Sequence, residues 1–182
     1  RAARQNPGEI TLLSVAPFTN VAMALKKDPQ FAGRLKRLVI MGGGFEQVET
    51  EWNILCDRKA AEILLKTDFR QLAVFSCDLT NTVSTPASYL AENVYGVFRE
   101  VLLKMGNNWF ARGMDHYHYH DPMAAVYCVH PELFEMQRGT MHMDAGGRTG
   151  WTSGEGRCLR AVGVQKQKFF EELYRVVNEA QS

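Results

Sequence analysis

The sequence lacks long apolar runs, a leading apolar segment and an excess of charge of either sign. No run among its 182 residues approaches the roughly 18 apolar residues of a membrane span, so no membrane-spanning helix is expected. Residues 1–5 lack the apolar stretch of a signal peptide. A formal net charge of +1 gives no reason to expect binding to nucleic acid or to an anionic membrane.

Closely spaced cysteine pairs are also missing. Cys56, Cys77, Cys128 and Cys158 lie far apart, without any Cys-x-x-Cys pair. We interpret them as buried, reduced thiols, and we expect the protein to be cytoplasmic. The composition, with 46% hydrophobic and 23% charged residues, is that of a globular protein. The length predicts a single domain over residues 1–182.

Two common families of sequence motif are absent as well. The triple glycine at residues 42–44 follows an apolar run, but the Lys-Ser/Thr of a Walker loop and a G-x-G-x-x-G pattern are missing. Phosphate binding is therefore disfavoured, and we interpret the glycines as a sharp turn that brings the backbone close to a ligand. No serine lies in a G-x-S-x-G nucleophile elbow.

Apolar runs that alternate with helical patterns indicate the fold class. The runs at residues 10–15, 35–41 and 72–77 predict buried strands. Their alternation with helices predicts a Rossmann-like α/β fold, in which helices flank an open, mostly parallel sheet. Ligands bind such sheets beyond the carboxyl ends of the strands. Because the first run has the composition of a central strand, we expect the domain to be truncated at its amino terminus.

The helical patterns carry several local predictions. Thr19 and Asn20 are expected to cap the helix after the first strand, and Asp57 to cap a later one. A longer helical pattern covers residues 86–110. Its inward side is expected to carry the following apolar residues: Tyr89, Leu90, Val94, Val97, Phe98, Val101 and Leu102.

The segment Glu51-Trp52-Asn53 is a candidate sugar-binding site. If the loop is extended there, Glu51 and Asn53 point the same way and Trp52 points the other way. A carboxylate beside an amide suits vicinal hydroxyls, because one accepts hydrogen bonds and the other both accepts and donates. The alternative is an ordinary polar loop with a packed tryptophan.

A histidine cluster lies at residues 115–122, with a carboxylate at each end. His116, His118 and His120 alternate, so in an extended segment they share one face, which suggests a zinc hydrolase. His130 and His142 are isolated, so no second histidine cluster completes such a site. Zinc is therefore the less favoured interpretation.

Six segments together carry a family resemblance. They are ITLLSVAPFTN at residues 10–20, VIMGG at 39–43, EWNILCD at 51–57, CDLT at 77–80, HDPMA at 120–124 and GRTG at 147–150. In this order they resemble the inosine-uridine preferring nucleoside hydrolases, which cleave the N-glycosidic bond of ribonucleosides to ribose and free base. The resemblance covers nearly the whole chain.

The resemblance implies a calcium ion at the carboxyl ends of the strands. Asp121 and the main-chain carbonyl of Val15 are its implied ligands in this chain. The family's Asp-x-Asp-x-x-x-Asp-Asp motif is absent from the sequence. Calcium takes about 6 to 8 oxygens, and these two with two substrate hydroxyls and one water fall short of that number. The shortfall agrees with the expected amino-terminal truncation.

The resemblance also implies roles in catalysis. Glu51 and Asn53 would hold the ribose hydroxyls, and Met41 would line the same pocket, while charge develops in an oxocarbenium-like transition state. His120 would protonate the departing base or stabilise charge on it, because histidine titrates near the working pH. The loop between Gly44 and Glu51 is shorter than usual and lacks the family's asparagine, which puts one ribose contact in doubt.

The resemblance implies a ribonucleoside substrate and a homo-oligomer. The alternative within the same fold is a non-catalytic member that binds ribosides or a protein partner. The preferred base does not follow from the sequence.

Overall fold

The computed structural model describes residues 1–46 and 50–180. The centre of the short loop ahead of Glu51, residues 47–49, lies outside the described residues. The strands are β1 (Thr11–Ser14), β2 (Arg37–Met41), β3 (Leu72–Phe75), β4 (Ser84–Thr85), β5 (Tyr117–His118), β6 (Phe134–Met143), β7 (Thr149–Ser153) and β8 (Cys158–Val164). The helices are α1 (Ala2–Gln5), α2 (Thr19–Lys27), α3 (Phe31–Arg34), α4 (Trp52–Cys56), α5 (Arg58–Lys66), α6 (Cys77–Thr80), α7 (Ala87–Asn93), α8 (Arg99–Phe110), α9 (His120–Val129) and α10 (Lys166–Glu179), with a 3₁₀ turn at Pro131–Leu133.

Within the described residues, six strands form one mixed sheet in the order β1-β2-β3-β8-β6-β7. Strands β1, β2, β3 and β8 run parallel, whereas β6 runs antiparallel to both β8 and β7. Strands β4 and β5 form a separate antiparallel pair. The predicted α/β fold with flanking helices is confirmed, and the antiparallel pairing within the six-stranded sheet comes from the carboxyl-terminal third of the chain.

The composition of β1 predicted a central strand of a longer sheet, and this stays a prediction. Among the described residues, β1 lies at the edge of the sheet, and its four residues are half-buried, whereas β3 is buried along its whole length. An apolar run does not by itself distinguish an edge strand from a central one, because both faces of an edge strand can be covered by helices.

The core has two layers because side chains alternate along the strands. Leu38 and Ile40 of β2 face a cluster formed with α2 and α5, whereas Val39 and Met41 face a cluster formed with α9 and α10. In the second cluster the ring of Phe75 lies 5.2 Å from the rings of Tyr127 and Phe134. Both faces of the central strands are therefore covered, as a parallel sheet requires.

The capping predictions have mixed outcomes. Asp57 caps α5 by accepting a hydrogen bond from the Ala60 amide at 2.9 Å, as predicted. The N-cap of α2 is Phe18, without a side-chain cap, so the predicted cap by Thr19 or Asn20 is wrong. Thr19 Oγ1 instead donates to Asp57 Oδ2 at 2.5 Å and ties α2 to α5.

The helical pattern of residues 86–110 is divided between α7 and α8. The chain turns at Gly96, which has a φ of +81° and lies against the backbone of Asn178. Val97, Phe98 and Val101 are exposed after this turn, so their predicted inward position is wrong. Because the turn changes the direction of the chain, the residues of α7 and α8 do not form one continuous helical face.

The cysteines form no disulfide among the described residues. Cys56 is exposed and the others are half-buried, so the prediction that all four are buried is wrong. No helix in the described part of the chain is both long enough and apolar enough to cross a membrane.

Candidate active site

The candidate residues meet where the parallel strands end. Met41 closes β2, Val15 follows β1, and Thr80 ends the short helix that follows β3. Helix α9, which begins with His120 and Asp121, packs across the same strands. The site therefore lies at the edge of the sheet that the parallel strands predict.

Glu51 is a buried carboxylate held by backbone amides. Its side chain is the N-cap of α4 and accepts hydrogen bonds from the amides of Gly43 at 3.3 Å, Asn53 at 2.8 Å and Ile54 at 3.1 Å. Burial raises the pKa of Glu51 against the effect of these three amides, and the charge of Asp121 raises it further. The site thus concentrates negative charge that a cation or a developing positive charge would stabilise.

Asn53 lies beside Glu51 in the first turn of α4. Its Nδ2 donates to the Met41 carbonyl at 3.1 Å and to the Met41 thioether sulfur at 3.6 Å. Both Asn53 and Met41 are buried, whereas the side chain of Trp52 is 71% exposed. The predicted directions of the three residues are therefore correct, but they arise from a helix and its cap rather than from an extended loop. The packed-tryptophan alternative is wrong.

Asp121 is exposed to solvent at the surface of the site. Nearby protein atoms nevertheless remove part of the water around its carboxyl group, and this desolvation raises the pKa of that group. Val15 is half-buried, and its side chain packs against the cluster that contains Met41. A carboxylate and a main-chain carbonyl are oxygen ligands of the kind that calcium prefers.

These oxygens do not complete a metal site. Residues 1–46 and 50–180 contain no group of three or more His, Cys, Asp or Glu side chains placed to hold a metal ion. Asp121 and the Val15 carbonyl would supply two oxygens, and calcium takes about 6 to 8. The residues present therefore fit such an ion in type and charge, but they provide only part of its coordination.

The three clustered histidines do not share a face. His116 is 47% exposed and its Nδ1 lies 3.3 Å from the Asp115 carboxylate. The rings of His118 and His120 stack, with centroids 5.6 Å apart and an interplanar angle of 22°. The predicted common face therefore holds for His118 and His120, but in the described part of the chain no group of three such side chains is placed to hold a metal ion. The zinc interpretation loses its geometric basis.

His120 is held by Thr80. The Nδ1 atom of His120 lies 2.6 Å from the Thr80 hydroxyl, which is fully buried. Burial, with a smaller contribution from neighbouring His118, lowers the pKa of His120 to about 4. His120 is therefore a neutral imidazole at neutral pH, in contrast to the expectation that it titrates near the working pH.

The sequence interpretation assigned no role to Thr149, although it belongs to one of the matching segments. Its hydroxyl accepts a hydrogen bond from the Gly44 amide at 3.0 Å and donates one to the Gly44 carbonyl at 2.9 Å. The neighbouring Gly43, at φ +90°, donates to Glu51. Thr149 thus anchors the glycine turn that supports the buried carboxylate, as the expected sharp turn requires.

Asp78 anchors the next part of the same turn. Its carboxylate accepts hydrogen bonds from the amides of Phe45 at 2.8 Å and Glu46 at 3.0 Å, and from the Ser76 hydroxyl at 2.9 Å. Sequence reasoning missed this role, because Phe45 and Glu46 lie more than 30 residues from Asp78. The available signals were that Asp78 follows the predicted strand at residues 72–77 and belongs to the matching segment CDLT.

A family model described as inosine-uridine preferring nucleoside hydrolase matches residues 1–171. The chain belongs to this family. It is 33% identical to probable uridine nucleosidase 1 of Oryza sativa subsp. japonica over 156 residues, which are 79% of this chain and 48% of that protein. It is 30% identical to uridine nucleosidase 1 of Arabidopsis thaliana over 153 residues, 78% of this chain and 45% of that protein. The chain thus spans about half the length of these curated relatives.

Solved structures of nucleoside hydrolases share the fold. A plant nucleoside hydrolase, the PpNRh1 enzyme, superposes with a TM-score of 0.84 at 23% identity, covering 98% of this chain and 65% of that one. A purine-preferring ribonucleoside hydrolase from Gardnerella vaginalis has a TM-score of 0.83 at 22% identity, covering 97% and 63%. At this identity the likeness establishes the nucleoside hydrolase fold.

Proposed function

We propose that this chain supplies the sugar-binding and leaving-group part of a site that hydrolyses the N-glycosidic bond of ribonucleosides to ribose and free base. The observation that carries this proposal is the placement of Glu51 and Asn53, buried side by side, close to the negative charge of Asp121. Membership of the nucleoside hydrolase family supports it.

The sugar side of the site consists of Met41, Glu51 and Asn53. The Glu51 carboxylate accepts from ribose hydroxyls, and the Asn53 amide donates to them or accepts from them. Because three backbone amides already orient Glu51, it needs little rearrangement when the sugar binds. Its negative charge stabilises the positive charge that develops on the sugar ring in an oxocarbenium-like transition state.

We propose calcium as the metal of the complete site, with Asp121 and the Val15 carbonyl among its ligands. When bound, calcium lowers the pKa of a coordinated water and holds the sugar hydroxyls. The raised pKa values of Asp121 and Glu51 support a cation here, because both carboxylates gain by its charge. Substrate, water and residues outside this ligand pair would complete the coordination.

The base side of the site consists of Thr80, His118 and His120. His120 would face the departing base and stabilise the charge that develops on it. A neutral imidazole does so as a hydrogen-bond donor, and the pKa of about 4 favours this form. The relatives named as uridine nucleosidases make uridine the first substrate to test, with inosine beside it. A homo-oligomer and a cytoplasmic location remain predictions.

Hydrolysis assays with inosine, uridine and a chromogenic riboside test the proposal on the purified protein. We expect Asp121→Ala to abolish turnover and Glu51→Ala to reduce it strongly. The control is Asp68→Ala, since Asp68 is an exposed carboxylate paired with Arg157 on the surface. Wild-type rates in both site variants would remove the assignment.

A non-catalytic riboside-binding protein is the second candidate, because no group of three or more metal-binding side chains is found among the described residues, whereas calcium takes about 6 to 8 oxygens. Calorimetric titration with calcium, with and without ribose, separates the two candidates. Calcium binding that ribose strengthens, together with turnover, supports the hydrolase. Riboside binding without turnover, in a protein shown to be folded by circular dichroism, supports the second candidate.

A further inference from the structure

The contact between Thr80 and His120 joins two sequence segments that lie 40 residues apart. Thr80 ends the short helix after β3 and is fully buried, and His120 opens α9. The 2.6 Å contact is made to Nδ1, the ring nitrogen closer to the backbone. The nitrogen that carries the proton in a neutral imidazole is set by the hydrogen bond made at the other nitrogen.

The direction of this hydrogen bond follows from the burial of Thr80. A hydroxyl carries one hydrogen, and a buried hydrogen without an acceptor is destabilising. Within the described residues, the Thr80 hydroxyl has no other hydrogen-bond partner than His120. The hydroxyl therefore donates to Nδ1, and the proton of the neutral ring is on Nε2.

The neighbouring histidine does not compete for this arrangement. The rings of His118 and His120 stack nearly parallel, so His118 contacts the face of the ring rather than its nitrogens. The Nδ1 atom of His118 is itself buried without a hydrogen-bond partner in the described part of the chain. Thr80 is thus the side chain that decides the tautomer of His120.

We propose that Thr80 is a positioning residue that fixes His120 in the Nε2–H tautomer, so that His120 donates a hydrogen bond to the departing base. No bond to hydrogen breaks in this step, and Thr80 keeps its own proton throughout. The role in turnover rests on the proposed function, whereas the tautomer does not.

Nitrogen-15 NMR of the imidazole rings tests the tautomer directly in the 182-residue chain at neutral pH. We expect an unprotonated Nδ1 and a protonated Nε2 for His120, identified by the signals that disappear in His120→Gln. Thr80→Val removes the hydroxyl at nearly constant volume and should produce a mixture of tautomers, whereas Thr80→Ser should restore the single form. The matched control is Thr85→Val, because the buried Thr85 hydroxyl bonds to Tyr119 instead.

Kinetics of the active protein supply the second measurement. Thr80→Val should lower kcat by about tenfold to a hundredfold, less than the roughly 10²- to 10⁴-fold typical of an acid–base group itself, with KM nearly unchanged. Thr80→Ser should recover most of this loss. A protonated Nδ1 in the wild-type chain, or unchanged kcat in Thr80→Val, overturns the proposal. If Thr80→Val does not fold, the spectra of the wild type and Thr80→Ser still decide the tautomer. Absence of turnover in the wild type overturns the proposed function, and the spectra then judge the tautomer alone.

Discussion

Three backbone amides hold the Glu51 carboxylate on the sugar side of the site, whereas one side-chain hydroxyl holds His120 on the base side. Backbone donors persist through almost any substitution of their own side chains, but the hydroxyl of Thr80 disappears with a single change. The hydrogen bonds that hold Glu51 therefore come from residues close to it in sequence and tolerate substitution. The position of His120 depends instead on one contact between distant segments.

Removing the charge of Glu51 should give the largest effect. Glu51→Gln keeps the shape of the side chain but places an amide group, which also donates, against three N–H donors. We expect kcat to fall by about 10² to 10³, the loss typical of a residue that stabilises transition-state charge. We also expect the free energy of unfolding to fall by about 1 kcal/mol through the weakened cap of α4.

Steady-state kinetics and urea unfolding measure both effects. The control is Glu62→Gln, because Glu62 lies on the surface of α5 between Lys59 and Lys66. A variant of Glu51 that keeps wild-type kcat would show that the sugar side does not need this charge.

The second-largest effect is expected from lowering the pH, which should destabilise the base side of the site. The pKa of His120, about 4 in the folded chain, lies below its ordinary value of 6.5. The unfolded chain therefore binds the proton first as the pH falls, and stability that is present above pH 6.5 is lost between pH 6.5 and about 4. We expect a loss of roughly 2 kcal/mol from this group, reduced by its partial exposure to solvent.

Unfolding curves of the wild type and His120→Gln, measured across this pH range, isolate the contribution. Glu51 acts in the opposite direction, because its pKa is raised, but it is present in both proteins and cancels in the difference. Parallel curves for the two proteins would contradict a buried neutral His120.

A smaller effect is expected from Thr149, which supports the sugar side through a distant side chain. Thr149→Val removes both hydrogen bonds to Gly44 and should cost about 1 to 2 kcal/mol of unfolding free energy. Thr149→Ser, which keeps the hydroxyl, is the control. Equal stability of Thr149→Val and Thr149→Ser in urea would mean that the glycine turn keeps its conformation without the Thr149 hydroxyl.

The smallest effect is expected on α8. Val101→Ser should change stability by less than about 0.5 kcal/mol, because Val101 is 49% exposed. Leu90→Ala, in the buried part of α7, should cost about 2 kcal/mol or more. A large cost for Val101→Ser in thermal unfolding would show that this face of α8 is covered in solution.

The same contrast between local and distant contacts separates what the sequence predicted from what it did not. Strands β2 and β3 and the Asp57 cap follow from patterns within a few residues, and all were predicted. The Thr19 cap failed because Asp57, 38 residues away, takes the Thr19 hydroxyl. The helix break at Gly96 was missed because Gly96 packs against Asn178, which lies at the far end of the chain. A pattern within a short stretch of sequence cannot show contacts between residues so far apart.

The candidate site shows the same division. Patterns and the family resemblance singled out Glu51, Asn53 and His120, whose roles remain predictions. The anchoring contacts of Thr80 and Thr149 lie 40 and 105 residues away from their partners, and only the folded chain brings these pairs together.

The uneven exposure of the thiols has a practical consequence for experiments on this protein. Cys56, exposed at the end of the helix that Glu51 caps, is well placed to react with a maleimide dye. Burial raises the pKa of Cys77 to about 11 and also raises that of Cys128, and Cys158 is half-buried, so these three should react slowly. A fluorophore attached at Cys56 would report sugar binding from five residues beyond Glu51, without any engineered cysteine.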